Sequence, residues 1–162
     1  QKNVALGMFA ADCLPVLMAD PEAGVIGAAH CGRRGLQNGV IGATIEKMVS
    51  KGARPERIVA TLGPCICGDC YEVGGDIADE FDAQFPGTFT LSRFGQPGID
   101  IAAAALQELA KAGVPADNVV SSRARVNAAT QYSFRRRGIG GNLPGRWRRR
   151  TAARGTFQEN PP

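Results

Sequence analysis

Asp12-Cys13-Leu14-Pro15-Val16-Leu17-Met18-Ala19-Asp20-Pro21-Glu22-Ala23-Gly24-Val25-Ile26-Gly27-Ala28-Ala29-His30 is the stretch on which the fold turns. Pro15 to Ala19 and Val25 to Ala29 are short apolar runs. Asp20 to Gly24 between them carries the Asp, Pro and Gly chemistry of a tight turn, so the segment reads as a β-hairpin. Cys13 and His30 are polar residues at the open end of that hairpin. With the turn centred between Pro21 and Glu22, Met18 faces Val25 and Cys13 faces His30. Directly opposed residues have Cβ atoms ~4.5–5.5 Å apart, close enough for a thiolate and an imidazole to share one metal ion. A slip of one residue would send the two side chains to opposite faces. The competing reading is a buried thiol and a core imidazole with no metal.

Working outward, Val4-Ala5-Leu6-Gly7-Met8-Phe9 reads as a buried strand that begins abruptly, within three residues of Gln1. With no initiator Met, the chain is expected to lack an N-terminal piece. From Leu36 the period becomes helical: Leu36, Val40, Ile41, Ile45, Met48 and Val49 fall on one face, with Gly52 as the stop. Ile58 to Leu62 reads as a strand, and Gly75 to Ala83 as a second helix. Pro86 to Pro97 is expected to be loop, with one strand at Phe89 to Leu91. Asp100 can cap a third helix anchored by Leu106 and Leu109 and closed by Gly113, and Val119-Val120 follows as a strand. Strands interleave with helices, so the class is α/β or α+β, a single domain of mixed sheets and flanking helices.

The 162 residues suit one domain with its own core. No apolar run approaches the ~18–20 residues of a membrane span. Five cysteines, an odd number, fit a reducing compartment better than a disulfide scaffold, so a cytoplasmic location is expected. The formal charge of +4 is divided along the chain. Residues 1–120 hold nine Lys/Arg against fourteen Asp/Glu, whereas 121–162 hold ten Arg against Glu159 alone. Residues 1–142 are read as the domain and 143–162 as a basic, disordered tail. That tail lacks the interleaved aromatics of a nucleic-acid surface, which makes nucleic acid an unlikely partner.

Three motifs, taken together, resemble one family. They are Ala11-Asp12-Cys13-Leu14-Pro15-Val16-Leu17, then Ala28-Ala29-His30-Cys31-Gly32-Arg33-Arg34-Gly35-Leu36, then Leu62-Gly63-Pro64-Cys65-Ile66 with Cys70-Tyr71-Glu72-Val73-Gly74. In order and spacing they are similar to the YfiH family, also called laccase-domain proteins or multicopper polyphenol oxidases. The resemblance implies a fold related to cytotoxic necrotizing factor toxins. It also implies zinc held by His, Cys and His, and processing of purine nucleosides: phosphorolysis of adenosine, inosine and methylthioadenosine, and deamination of adenosine. Carried over, Cys13 and His30 are the second and third metal ligands and share the catalytic role. The family's first ligand is a histidine upstream of anything in this chain.

Around that centre, Gly32-Arg33-Arg34-Gly35 before a helix is a candidate phosphate site, with Arg34 matching the family arginine and Arg33 standing where Trp is usual. Tyr132-Ser133-Phe134-Arg135-Arg136 is similar to the family's Phe-Ser-Tyr-Arg-Arg, making Arg135 and Arg136 candidates for substrate or phosphate contact. Cys65, Cys67 and Cys70 form C-x-C-x-x-C, which lacks the paired C-x-x-C units of a structural zinc site and reads as a tight loop with buried thiols. Glu72 is a candidate general base. The leading expectation is a zinc-dependent purine nucleoside phosphorylase with adenosine deaminase activity, zinc lowering the pKa of a bound water to ~7 for attack on the purine amino carbon, with nucleosides and inorganic phosphate as partners. A copper polyphenol oxidase is the alternative, although one histidine is few for a multicopper cluster. A further alternative is an inactive fragment whose basic tail binds anions.

Overall fold

Asp20 closes the hairpin and sets its register. Its Oδ1 accepts the backbone N–H groups of Glu22 and Ala23, and Gly24 takes the left-handed conformation (φ 64°) that the return requires. The loop is therefore the four residues Pro21 to Gly24. The strands β1 (Leu14–Asp20) and β2 (Val25–Cys31) pair antiparallel, with Asp20 opposite Val25, Met18 opposite Gly27 and Pro15 opposite His30. This register differs by two residues from the expected one, because the turn centres between Glu22 and Ala23. Cys13 is consequently diagonal to His30 and lies just outside β1. A shift of two preserves the side of the sheet on which a residue falls.

The computed structural model describes residues 4–121. β1 also pairs antiparallel with β3 (Val59–Leu62), which pairs parallel with β6 (Val119–Ser121), giving the sheet order β2-β1-β3-β6. A separate hairpin joins β4 (Phe89–Leu91) to β5 (Pro97–Ile99). The family-like expectation of an α/β domain with mixed sheets and flanking helices is met.

Alternation decides which side of the main sheet is core. Leu14, Val16 and Met18, Ala29 and Cys31, and Ala60 and Leu62 are buried on one face. The helices α1 (Arg33–Gln37), α2 (Val40–Val49) and α4 (Ile101–Lys111) supply Leu36, Ile41, Ile45, Met48, Ile101 and Leu109 to the same core. α3 (Gly75–Gln84) packs on the β4–β5 hairpin through Phe81, whose ring sits 4.8 Å from that of Phe85. Asp82 Oδ1 accepts the N–H groups of Thr88 and Phe89, tying α3 to β4. Asp100 caps α4 as expected, its Oδ1 accepting from Ala102 and Ala103 at 2.9 and 3.0 Å.

Four local expectations need correction. Val4 to Phe9 form no strand: Val4 and Leu6 are about half exposed and Phe9 is 99% exposed, because no described strand pairs with their backbone. The helix begins at Arg33 rather than Leu36, and Gly39 (φ 71°) breaks it into α1 and α2. β5 lies partly within and partly beyond the expected loop, and Leu106 faces solvent while Ala104, Ala105 and Leu109 face the core.

The opposite face of the sheet is apolar too. Leu17, Ile26 and Val120 are each more than half exposed there, beside Val59. Leu6 reaches a groove of about 290 Å³ on this face. No described helix is long and apolar enough to cross a membrane.

The Asp20 carboxyl is held at about 2. Burial works to raise it, but the N–H groups of Ala23 and Arg54 and the Arg57 guanidinium, 2.8 Å from Oδ2, outweigh that cost. Because the folded value lies below the unfolded value of ~3.9, this carboxylate stabilises the fold above that pH and ceases to as pH falls towards 2. Asp20→Asn is expected to lower the Tm at neutral pH and to flatten the fall in Tm between about pH 4 and pH 2, read by thermal melts across a pH series.

Candidate metal and substrate site

Cys13 and His30 both border Gly32 at one end of the sheet. A β-carbon on Gly32 would stand 2.9 Å from Cys13 Sγ and 3.9 Å from His30 Cδ2, so glycine at this position spares the sulfur a close approach while the imidazole edge lies in ordinary contact range of the same point. His30 projects from the exposed face of β2, and Cys13 is half-buried. The backbone turns sharply into Cys13: Asp12 has φ 90°, in the left-handed region, and its carbonyl accepts the Ile66 N–H at 2.8 Å. The hairpin and the cysteine loop are thus joined one residue before the thiol. Burial and the neighbouring Asp12 raise the Cys13 thiol above its ordinary value. A bound cation would have to displace that proton.

A thiolate and an imidazole are donors that suit zinc or copper. They fit such an ion, and the cradle at Gly32 leaves room at the sulfur. Two donors are fewer than the three of a catalytic zinc, and no group of three His, Cys, Asp or Glu among the described residues could hold a metal. Cys31, the next residue along β2, faces the core instead. Burial, then Cys13 and Glu108, push its thiol to about 12, which makes it a packing residue rather than a nucleophile.

The two arginines of Gly32-Arg33-Arg34-Gly35 part company. Arg33 Nη1 donates to Gln37 Oε1 at 2.6 Å within α1, and Gln37 in turn ties α1 to α3 by donating to Glu80 and accepting from Gln84. The Arg34 side chain is exposed. α1 is only five residues long, and Arg34 lies in its last turn rather than at a long helix's start. Glu72, the candidate base, accepts the Ser92 hydroxyl at 2.7 Å and is engaged in the hairpin. Cys65 is buried, and Cys67 and Cys70 are half-buried around a 3₁₀ turn at Gly68–Cys70. Arg135, Arg136 and the basic stretch 143–162 lie outside the described residues.

Sequence reasoning missed the roles of Gly32 and Gly35. A β-carbon on Gly35 would come 2.9 Å from the His30 carbonyl oxygen, so α1 can approach β2 only through glycine there. The Gly-x-x-Gly spacing was the available signal.

The sequence profile of the multi-copper polyphenol oxidoreductase laccase family matches residues 1–147. The chain belongs to that family. It is 42% identical over 145 residues to a Streptomyces griseus protein named purine nucleoside phosphorylase ORF3, covering 90% of this chain and 58% of that one. Adenosine deaminase RL5, from an unknown prokaryotic organism, is 37% identical over 144 residues, covering 85% of this chain and 55% of its own. Among solved structures, Bacillus licheniformis YfiH superposes with a TM-score of 0.70 at 27% identity, over 78% of this chain and 50% of that one. The chain spans little more than half the length of the relatives it matches.

Gly35→Ala is expected to destabilise the fold by about 1–3 kcal/mol, since the clash is with backbone and cannot be relieved by a rotamer change. Urea unfolding compared with the wild type measures it, and Gly42→Ala, where a β-carbon would meet nothing within 4 Å, is the control.

Proposed function

We propose that the chain carries the metal-binding centre of a zinc-dependent purine nucleoside phosphorylase that also deaminates adenosine, with adenosine, inosine and methylthioadenosine as substrates. The observation that carries this reading is that the Cys13 sulfur and the His30 imidazole edge, on one side of the sheet, both border Gly32. The names of the relatives, purine nucleoside phosphorylase and adenosine deaminase, supply the substrate class.

Cys13 and His30 hold the ion. When bound, zinc supplies Lewis acidity to the reacting nucleoside. Arg34 binds inorganic phosphate with its guanidinium fork, orienting an oxygen towards the ribose anomeric carbon. Arg135 and Arg136 make further substrate or phosphate contacts. In phosphorolysis the phosphate oxygen bonds to that carbon as the bond to the purine nitrogen breaks, and the base leaves with a proton. Soft sulfur and nitrogen donors also accommodate copper, and the family's description favours it as the second reading.

A full-length version carrying this chain, given inosine and phosphate, is expected to release hypoxanthine. Cys13→Ala and His30→Ala should each reduce release at least about 100-fold, since even groups that merely orient metal ligands cost 10–100-fold. Equal release by wild type and both variants would overturn the reading, and stoichiometric copper with phenol oxidation would favour the oxidase instead.

Arg34→Gln should raise the KM for phosphate about tenfold, the worth of one charge-assisted hydrogen bond, while leaving metal content and the KM for inosine near wild type. Initial rates over a phosphate series, with metal analysis alongside, test this. An unchanged phosphate KM removes Arg34 from the site.

A further inference from the structure

The cysteine loop contains a feature that the metal centre does not use. Cys67-Gly68-Asp69-Cys70 is a C-x-x-C unit wound into a single turn: the Cys70 N–H donates to the Cys67 carbonyl at 2.9 Å. A turn closed this way holds its first and fourth Cα atoms within ~7 Å. That range overlaps the ~4.4–6.8 Å separation of disulfide-linked residues. Both side chains are half-buried, whereas Cys65 is buried.

The two sulfurs have different surroundings. Arg93 Nη2 donates to Cys70 Sγ at 3.4 Å, placing a guanidinium beside this sulfur. That guanidinium is held in place by the Phe94 ring, 5.4 Å from its centroid, and by the Arg93 N–H, which donates to the Asp69 carbonyl at 3.3 Å. Thr90 Oγ1 donates to the Gly68 carbonyl at 3.1 Å, so the turn is seated on the β4–β5 hairpin.

We propose that Cys67 and Cys70 are a reversible dithiol–disulfide pair, with Cys70 as the attacking thiol and Cys67 as the resolving one. The oxidant is a low-molecular-weight disulfide. The Cys70 thiolate attacks one of its sulfurs, forming a mixed disulfide and releasing one thiol. The Cys67 thiolate then attacks the Cys70 sulfur, closing the protein disulfide and releasing the second thiol. One small disulfide is reduced to two thiols as the dithiol loses two hydrogens. The turn forms part of the wall of a cavity of about 280 Å³, together with Leu14, Leu62 and Asp100. Ile66 in the same loop donates to the Asp12 carbonyl beside Cys13, so closure stiffens a segment attached directly to the metal pair. The covalent step itself does not depend on the purine reading.

Oxidised glutathione added to the intact protein is the test. The thiol titre should fall from five to three, and tandem mass spectrometry should place the new bond between residues 67 and 70. Cys67→Ser should stop at a single glutathione on Cys70, and Arg93→Gln should slow the first step several-fold. A titre that stays at five, a bond mapped to any other pair, or closure that persists in Cys67→Ser would overturn the proposal.

Discussion

A single buried carboxylate governs how the hairpin is built. Asp20 sits at the end of β1, inside the protein, and receives hydrogen bonds from its own turn and from Arg54 and Arg57, more than thirty residues later. A charge in that position is tolerated only because these donors satisfy it. Once satisfied, it fixes the loop length, and the loop length fixes which residues of β1 and β2 oppose each other. Everything at the far end of the hairpin inherits that choice. Cys13 and His30 share a side of the sheet because the loop is four residues long, and a change by one residue would separate them.

The surroundings of Cys13 and His30 are then a matter of close approach. Gly32 and Gly35 lie two and five residues beyond His30, and each leaves out a side chain where one would collide, with the Cys13 sulfur in one case and the His30 carbonyl in the other. The strand can therefore turn directly into α1 without pushing the imidazole away from the thiol. Gln37, which accepts from Arg33 within that helix, ties it to α3 through Glu80 and Gln84, and the Arg34 side chain is exposed.

What could be read from the sequence was whatever depends on near neighbours. The hairpin, the Asp100 cap and the strand at Phe89–Leu91 are written in local turn, capping and alternation signals. The register was misplaced by two because Asp20's distant partners at Arg54 and Arg57 have no local trace. β5 was missed because Pro97 and Gly98 are poor strand residues. Gly98 is there because Thr90 Oγ1 and the Tyr71 and Gly68 carbonyls would crowd any β-carbon. Leu106 and Leu109 are equally apolar, and only the packing of α4 decides that one is buried. Cys13 and His30 still fall on one side of the sheet despite the shift of two, because parity rather than exact opposition sets the side on which a residue lies.

The bare side of the main sheet bears on the chemistry at its end. Leu17, Ile26, Val59 and Val120 form an oily floor on the same side as His30. Water is a poor neighbour for that floor, and any cover laid over it would also shut solvent out from around the imidazole. Under the proposed metal reading, the grip of the His30 imidazole and the Cys13 sulfur on an ion would be a property shared with whatever lies across the sheet, because a drier surrounding sharpens every attraction between a cation and its donors.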